Sequence, residues 1–282
     1  MIVTPVGQQV AVVLSSPHSG RHYPESLLSQ IRLPPAALRP LSDGPIDALL
    51  APACAAGAVL IAATYPRVVI DLNRDACELD PSWLRDPALG TGLRATLKAR
   101  AGLGVVPTRL LGEPIYRERL CLSEVRRRVA VIYEPYHAQL AVMLRDGCHR
   151  FGAMLVLDCH SMPTMAPATR GERAIDVALG DRFSRSCHPH LVEVAERCLA
   201  GAGLAVARNR PYAGGHITER HGRPERGCHA LQLELRRGLF MDEASHEPHQ
   251  GFAALQEILA HLVAALSEAV MTLAPAPALR IA

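Results

Sequence analysis

Two histidines stand directly behind apolar runs, His18 in "VAVVLSSPHSG" and His160 in "GAMLVLDCHSM". Neutral imidazole is the commonest metal ligand, and a hydrolytic zinc site takes three nitrogen or oxygen ligands while one position stays open to water. A single histidine in such a place is more often structural; two at equivalent strand ends point to a shared ion. Asp158, two residues before His160, suits the orienting of an imidazole. An H-x-x-E motif would supply the third ligand, but Arg21 fills that place after His18. The nearest carboxylates are Asp43 and Asp47 in "LSDGPIDALL", with Glu25 behind them. Asp43 reads equally well as the N-cap of a helix that follows Gly44-Pro45. The metal set is therefore His18, His160 and one carboxylate, with Asp43 placed first, Asp47 second and Glu25 third.

Three more clusters carry chemistry. In "RVVIDLNRD", Asn73 and Arg74 follow an apolar run and Arg67 opens it. An arginine fork pairs bidentately with carboxylates and suits an acidic small molecule; the alternative is that Arg74 pairs with Asp71, Asp75 or Glu78. In "ALQLELRR", alternation puts Leu231, Leu233 and Leu235 on one face and Gln232, Glu234 and Arg236 on the other. A carboxylate in such a strand is costly unless paired or used, so Glu234 is either a general base or the ion-pair partner of Arg236 or another arginine. In "YEPYH" and "NRPYAGGHIT", His137 and His216 lie beside turn-forming or glycine-rich backbone. Gly214-Gly215 allows close approach of a ligand, but neither phosphate-loop pattern is present. His137 is either a substrate contact or a helix-surface residue. Cys159 adjoins His160 and raises a covalent cysteine hydrolase as a rival, which strand geometry disfavours because neighbours point to opposite faces.

The elements that must position these residues follow from periodicity. Strands are expected at 8–16, 58–66, 67–73, 152–160, 174–180, 204–209 and 229–237. Several are continuous apolar runs, as in strands buried on both faces. Helical spacing joins Val125, Val129, Ile132, Tyr136, Leu140 and Met143, and again Phe252, Leu255, Leu259, Leu262, Leu266 and Val270. Pro135 should kink or divide the first of these. No repeat or linker interrupts the chain, and only the tail "APAPALRIA" is of low complexity. The expectation is one α/β domain over residues 1–282, with a mixed, mainly parallel sheet, helices on both faces and a C-terminal helix over 248–273. Ligands of such sheets gather at the carboxyl ends of the strands.

Composition narrows the partners. The 282 residues are 49% hydrophobic and 20% charged, with a net charge of +3, too little for a nucleic-acid partner. "RRR" at 126–128 reads as a solvated helix face. The N-terminus lacks a signal-peptide pattern. No stretch reads as the ~20 apolar residues of a membrane span, since the most apolar helix carries Glu257, His261 and Glu268. The eight cysteines show no C-x-x-C spacing and read as reduced, mostly buried thiols of a cytoplasmic protein. The oligomeric state stays open, a homo-oligomer included.

Taken together, "SPHSGRHYP", "SDGPID", "PRVVIDLNRD", "YEPYH", "DCHSMP", "PYAGGHIT" and "LQLELRRGLFMDE" resemble the N-formylglutamate amidohydrolase (deformylase) family, in its order over residues 12–243. The resemblance implies a metal-dependent amidase with a fold like the zinc carboxypeptidases and one bound zinc ion. It implies zinc ligation by His18 and His160, with Asp43 in place of the H-x-x-E glutamate of more distant acylase relatives. It further implies Asn73 and Arg74 as holders of an acidic N-acyl amino acid, and Glu234 as the base. His216 or an arginine would serve the oxyanion. N-formylglutamate is the first substrate to expect and another N-acyl amino acid the second. A metal- or ligand-binding protein without turnover is the non-enzymatic alternative.

Overall fold

The computed structural model describes residues 2–3, 9–166 and 173–273; the tail at 274–282 lies outside them. The chain forms two compact units, one from 17–44 and 62–139, the other from the described parts of 2–16, 45–61 and 140–273.

The larger unit is built on a seven-stranded sheet. Its strands are β1 (Ile2–Val3), β2 (Val12–Ser16), β3 (Val59–Ala62), β4 (Met154–Met162), β5 (Val177–Gly180), β6 (Val206–Arg208) and β7 (Cys228–Arg236), in the order β1-β3-β2-β4-β7-β5-β6. β2 and β7 both run parallel to β4, β5 runs parallel to β6, and β7 meets β5 antiparallel. The sheet is thus mixed and mainly parallel, as the alternation of apolar runs and helices requires. All nine residues of β4 are buried. Such a strand needs cover on both faces, which is why it reads as an apolar run rather than as strict alternation.

Part of that cover comes from a 23-residue helix, Gly251–Leu273, which contacts β2, β4 and the helix Pro189–Gly201. Leu255, Leu259, Leu262, Leu266 and Val270 recur on its buried face, and its Ser267 hydroxyl accepts from the Ala11 amide at 3.0 Å. By length and mean hydropathy this helix would suffice to cross a membrane, so Glu257, His261 and Glu268 do not by themselves set it apart from a span. Its packing against the sheet accounts for its apolar face.

The smaller unit has little regular structure. Helical winding runs through three pieces: α1 (Leu122–Arg128), one π turn (Val129–Tyr133) and α2 (Glu134–Phe151), whose second half belongs to the larger unit. Pro135 has no N–H to donate, and the winding widens to a π turn just before it instead of breaking.

Here the structure departs from the expected strand at 67–73, which is a buried series of turns. Its carbonyls lack a ladder and must find other donors. Four side chains supply them. The Tyr116 hydroxyl donates to Val68 O (2.7 Å), Arg128 Nη1 to Val69 O (3.1 Å), Tyr133 Oη to Arg74 O (2.9 Å) and His137 Nε2 to Leu72 O (2.9 Å). Three of the four come from the α1–π–α2 winding. One turn of i→i+5 bonding carries residue 133 round to the side of residue 128, and residue 137 follows an α-turn later. The solvated reading of "RRR" therefore fails for Arg128, which is buried, bonds Tyr116 as well (3.0 Å) and lies over its ring.

The expectation of mostly buried thiols also needs correction. Only Cys54, Cys159 and Cys187 are buried, while Cys77 and Cys121 are exposed and Cys148, Cys198 and Cys228 half-buried.

Candidate active site

His18 follows the end of β2 by two residues. Its loop is pressed against the segment at 64–66: a Cβ on Gly20 would stand 1.9 Å from the carbonyl oxygen of Tyr65, so only glycine fits there. The loop carrying Asp43 docks onto it through the Asp43 amide, which donates to His18 O at 3.3 Å. The His18 ring meets two carboxylates, with Nε2 at 2.8 Å from Asp71 Oδ1 and Nδ1 at 3.2 Å from Asp43 Oδ2. All three residues are buried. A neutral imidazole has one proton, and the shorter contact assigns it to Nε2. The lone pair of Nδ1 then faces a carboxylate oxygen, an arrangement that calls for a cation or a second proton.

Asp71 is the hub of this half of the site. Besides His18 it accepts from Arg67 Nε (2.7 Å) and from the Asn73 amide (2.9 Å). Burial alone would raise its pKa, but Arg67, then His18 and Arg74, outweigh that and hold the carboxyl far below the ordinary aspartate range.

His160 is held by different means to the same effect. It stands on β4, and its Nε2 lies 2.9 Å from Oδ2 of Asp158, whose Oδ1 accepts from Ser15 Oγ at 2.7 Å. The parallel register of β2 on β4 pairs Ser15 with Asp158, so chain connectivity alone brings His18 to the same end of the sheet as His160. The ligand atoms of His18, Asp43 and His160 all lie within 4.8 Å of one another, a buried group that could hold a metal ion. The chemistry of the set fits a divalent cation, since each imidazole has one nitrogen backed by a buried aspartate, the usual outer support of a metal-bound histidine.

Of the three candidate carboxylates, Asp43 lies in this group. It makes no helix cap: the short helix Ile46–Leu49 has Pro45 at its N-cap and no side-chain cap bond. Asp47 sits half-buried on that helix and Glu25 is exposed. Neither belongs to the metal-capable group among the described residues.

The register of β4 on β7 pairs His160 with Glu234 and Asp158 with Gln232. Paired residues on neighbouring strands share a face, so Glu234 stands beside His160. It is buried, and Gln232 Nε2 donates to its Oε1 at 2.8 Å. The ion pair with Arg236 is not formed, because Arg236 turns to Asp176 at 2.6 Å. His216 opens the helix His216–His221, which packs on β4 and β7.

In the smaller unit, Arg74 Nε is buried and makes no hydrogen bond. Asp71 and Glu78 each lie 3.7 Å from its guanidinium, within ion-pair reach though beyond a hydrogen bond, as the pairing alternative expected, and Asp75 pairs with Arg94 at 2.6 Å. His137 is buried between Tyr133 and Tyr136, so it is no helix-surface residue. Arg67 is bound first of all to Asp71.

Residues 10–241 match the family model described as N-formylglutamate amidohydrolase. The chain belongs to the N-formylglutamate amidohydrolase family. It is 33% identical over 239 residues to an N-formylglutamate deformylase of Pseudomonas aeruginosa, covering 83% of this chain and 84% of that one. With a second N-formylglutamate deformylase, from Pseudomonas putida, identity is 31% over 83% of each chain. The crystal structure of an N-formylglutamate amidohydrolase from Ralstonia eutropha JMP134 superposes with a TM-score of 0.86 at 37% identity, covering 96% of this chain and 97% of that one. A protein of Agrobacterium tumefaciens, 21% identical with a TM-score of 0.63, shares the fold.

The family match spans every candidate site residue described above, and two further residues for which the sequence offers no site role. Asp71 appeared only as a competitor for Arg74; its aspartate-before-asparagine-arginine setting was the available signal. Lys98, in the short helix Leu97–Arg100, had none. Its ammonium pKa is lowered by partial burial and then by the nearby charge of Arg74, with Arg67 adding to it. Three cations thus share one corner of the smaller unit. The cysteine-hydrolase rival finds no support: Cys159 is fully buried, burial and then Asp158 push its thiol pKa well up, and its Sγ donates to Leu157 O.

Proposed function

We propose that this chain is a zinc-dependent amidohydrolase, folded as one catalytic domain, that cleaves N-formyl-L-glutamate to formate and L-glutamate. The observation that carries the reading is the His18–Asp43–His160 group, each imidazole backed by a buried aspartate. The relatives named N-formylglutamate deformylase support the substrate.

His18, Asp43 and His160 hold the ion, which when bound supplies Lewis acidity toward the amide carbonyl and toward water. Asp71 and Asp158 keep the proton of each imidazole on Nε2. Glu234 takes the proton of the attacking water and returns it to the leaving nitrogen, its carboxylate oriented by Gln232. Burial of Glu234 beside His160 suits this, because a base works best where water does not compete for it. Arg74 and Asn73 receive the substrate carboxylate, with Arg67 and Lys98 adding positive charge and His137 fixing the turn that presents them. His216, on the helix against β4 and β7, donates to the oxyanion as the carbonyl becomes tetrahedral.

Metal content of the purified protein, measured with a screen of N-acyl amino acids, tests the reading. Activity on N-formylglutamate should be lost on chelation, restored by zinc and weakened when the substrate carboxylate is replaced by an amide. Full activity without metal would overturn metal dependence. Preference for a different N-acyl amino acid would overturn the substrate and leave the amidohydrolase standing.

A further inference from the structure

A second group of reactive side chains lies in the larger unit, outside the proposed catalytic set. Cys148, near the end of α2, and Cys228, the first residue of β7, stand Sγ to Sγ 3.1 Å apart. A disulfide bond is about 2.05 Å long, so closure needs an approach of only about 1 Å. Both residues are half-buried and line an open cavity of about 470 Å³, whose wall also carries Arg145, Arg220, Arg223 and Arg226 and no carboxylate. The hydrogen bond between the two thiols lowers the pKa of Cys228, with Arg226 assisting against burial and Glu225; the same bond raises Cys148. One sulfur is therefore prepared to attack and the other to resolve.

We propose that Cys148 and Cys228 form a redox-active dithiol, closed to a disulfide by exchange with an anionic low-molecular-weight disulfide that the arginine collar attracts. The Cys228 thiolate attacks one sulfur of the incoming disulfide, forming a mixed disulfide and expelling the first thiolate. Cys148, giving up its proton, then attacks Sγ of Cys228 and expels the second. Two protein thiols are oxidised, one external disulfide is reduced to two thiols, and no further oxidant is needed. The product ties α2 to β7 across 80 residues of chain. A crosslink of that span should raise the thermal midpoint through the unfolded state.

The test treats the full chain with oxidised glutathione, then denatures it, counts free thiols and maps peptides by mass. Two thiols should be lost at Cys148 and Cys228, with the mass falling by two hydrogens. Cys148→Ser should instead retain a glutathione adduct on Cys228, and Cys228→Ser should leave position 148 reduced. Cationic cystamine should react roughly tenfold more slowly than glutathione disulfide at low salt, and added salt should close that gap. Arg223→Gln with Arg226→Gln should narrow it too. Oxidation confined to exposed Cys77 and Cys121, or a stable glutathione adduct on the unsubstituted chain, would overturn the dithiol. Cystamine reacting as fast as glutathione disulfide would overturn the role of the collar.

Discussion

His160 and His18 present the same local chemistry on two different scaffolds. Each has Nε2 against a buried aspartate, at 2.9 and 2.8 Å. His160 and Asp158 are two residues apart on one strand, paired through nine residues with β7. His18 and Asp71 are 53 residues apart, and Asp71 sits on turns whose carbonyls are held by Tyr116, Arg128, Tyr133 and His137. A ladder is made by the backbone and tolerates changes of side chain. A turn hung on side chains fails when one of them is lost. The ladder-held half of the site should therefore break only where its chemistry is touched, and the side-chain-held half wherever its supports are.

The largest effect should come from the ladder-held half through chemistry alone. On the proposed role of Glu234, Glu234→Gln preserves shape and removes the base, so kcat should fall by ~10²–10⁴-fold with metal content unchanged. Steady-state kinetics and metal analysis on one sample decide it. A normal kcat would remove Glu234 from the mechanism, and lost metal would make it a structural support instead.

The comparison is sharpened by Asp158→Asn and Asp71→Asn. Loss of an outer-shell carboxylate should weaken metal binding by ~10–100-fold in each, with Asp71→Asn the worse because it also releases Arg67 and the Asn73 amide. Metal titration of both variants reads this, and equal loss would mean that the turn is fixed without Asp71. Acid unfolding adds a second reading. The folded-state pKa of Asp71 lies far below its unfolded value of ~3.9. Its stabilisation is thus fully present above that value and declines as pH falls from about 5 toward the folded pKa. Asp71→Asn should flatten the loss of stability below pH 5, whereas an unchanged slope would contradict the charge network around Asp71.

The smallest effect should come from Tyr133→Phe, which leaves the carbonyl of Arg74 without its 2.9 Å donor. Stability should fall by about 1 kcal/mol in urea unfolding, and KM should rise with kcat nearly constant as Arg74 loosens. Ser15→Ala is the matched change on the ladder, removing one donor to Asp158. It should leave KM alone, and a KM increase as large as that of Tyr133→Phe would erase the distinction between the two scaffolds.

The two halves were also unequally readable. The apolar runs at 12–14 and 154–157 and the alternation at 230–235 gave away β2, β4 and β7, and with them the places of His18, His160 and Glu234. The run "RVVIDL" carries the same signal and is no strand. Residues 68–72 are buried, as the pattern says, but the segment is packed around a carboxylate hub and side chains supply donors to its carbonyls. Periodicity reports burial and is blind to the partner of a carbonyl. For the same reason the inward turn of Arg128 was hidden inside a basic triplet that looked solvated.

What the sequence by itself determined is therefore local: which segments are buried, which polar residues interrupt them, and that two histidines and a glutamate stand on or just past buried strands. Tertiary structure alone grouped Asp43, and neither Asp47 nor Glu25, with His18 and His160, made Asp71 the common partner of His18, Arg67 and Asn73, and set Cys148 against Cys228. Each of those choices is a contact between side chains far apart in the chain. Hydrophobic patterning constrains a residue's face and depth, whereas the partner it meets there depends on how distant segments close on one another.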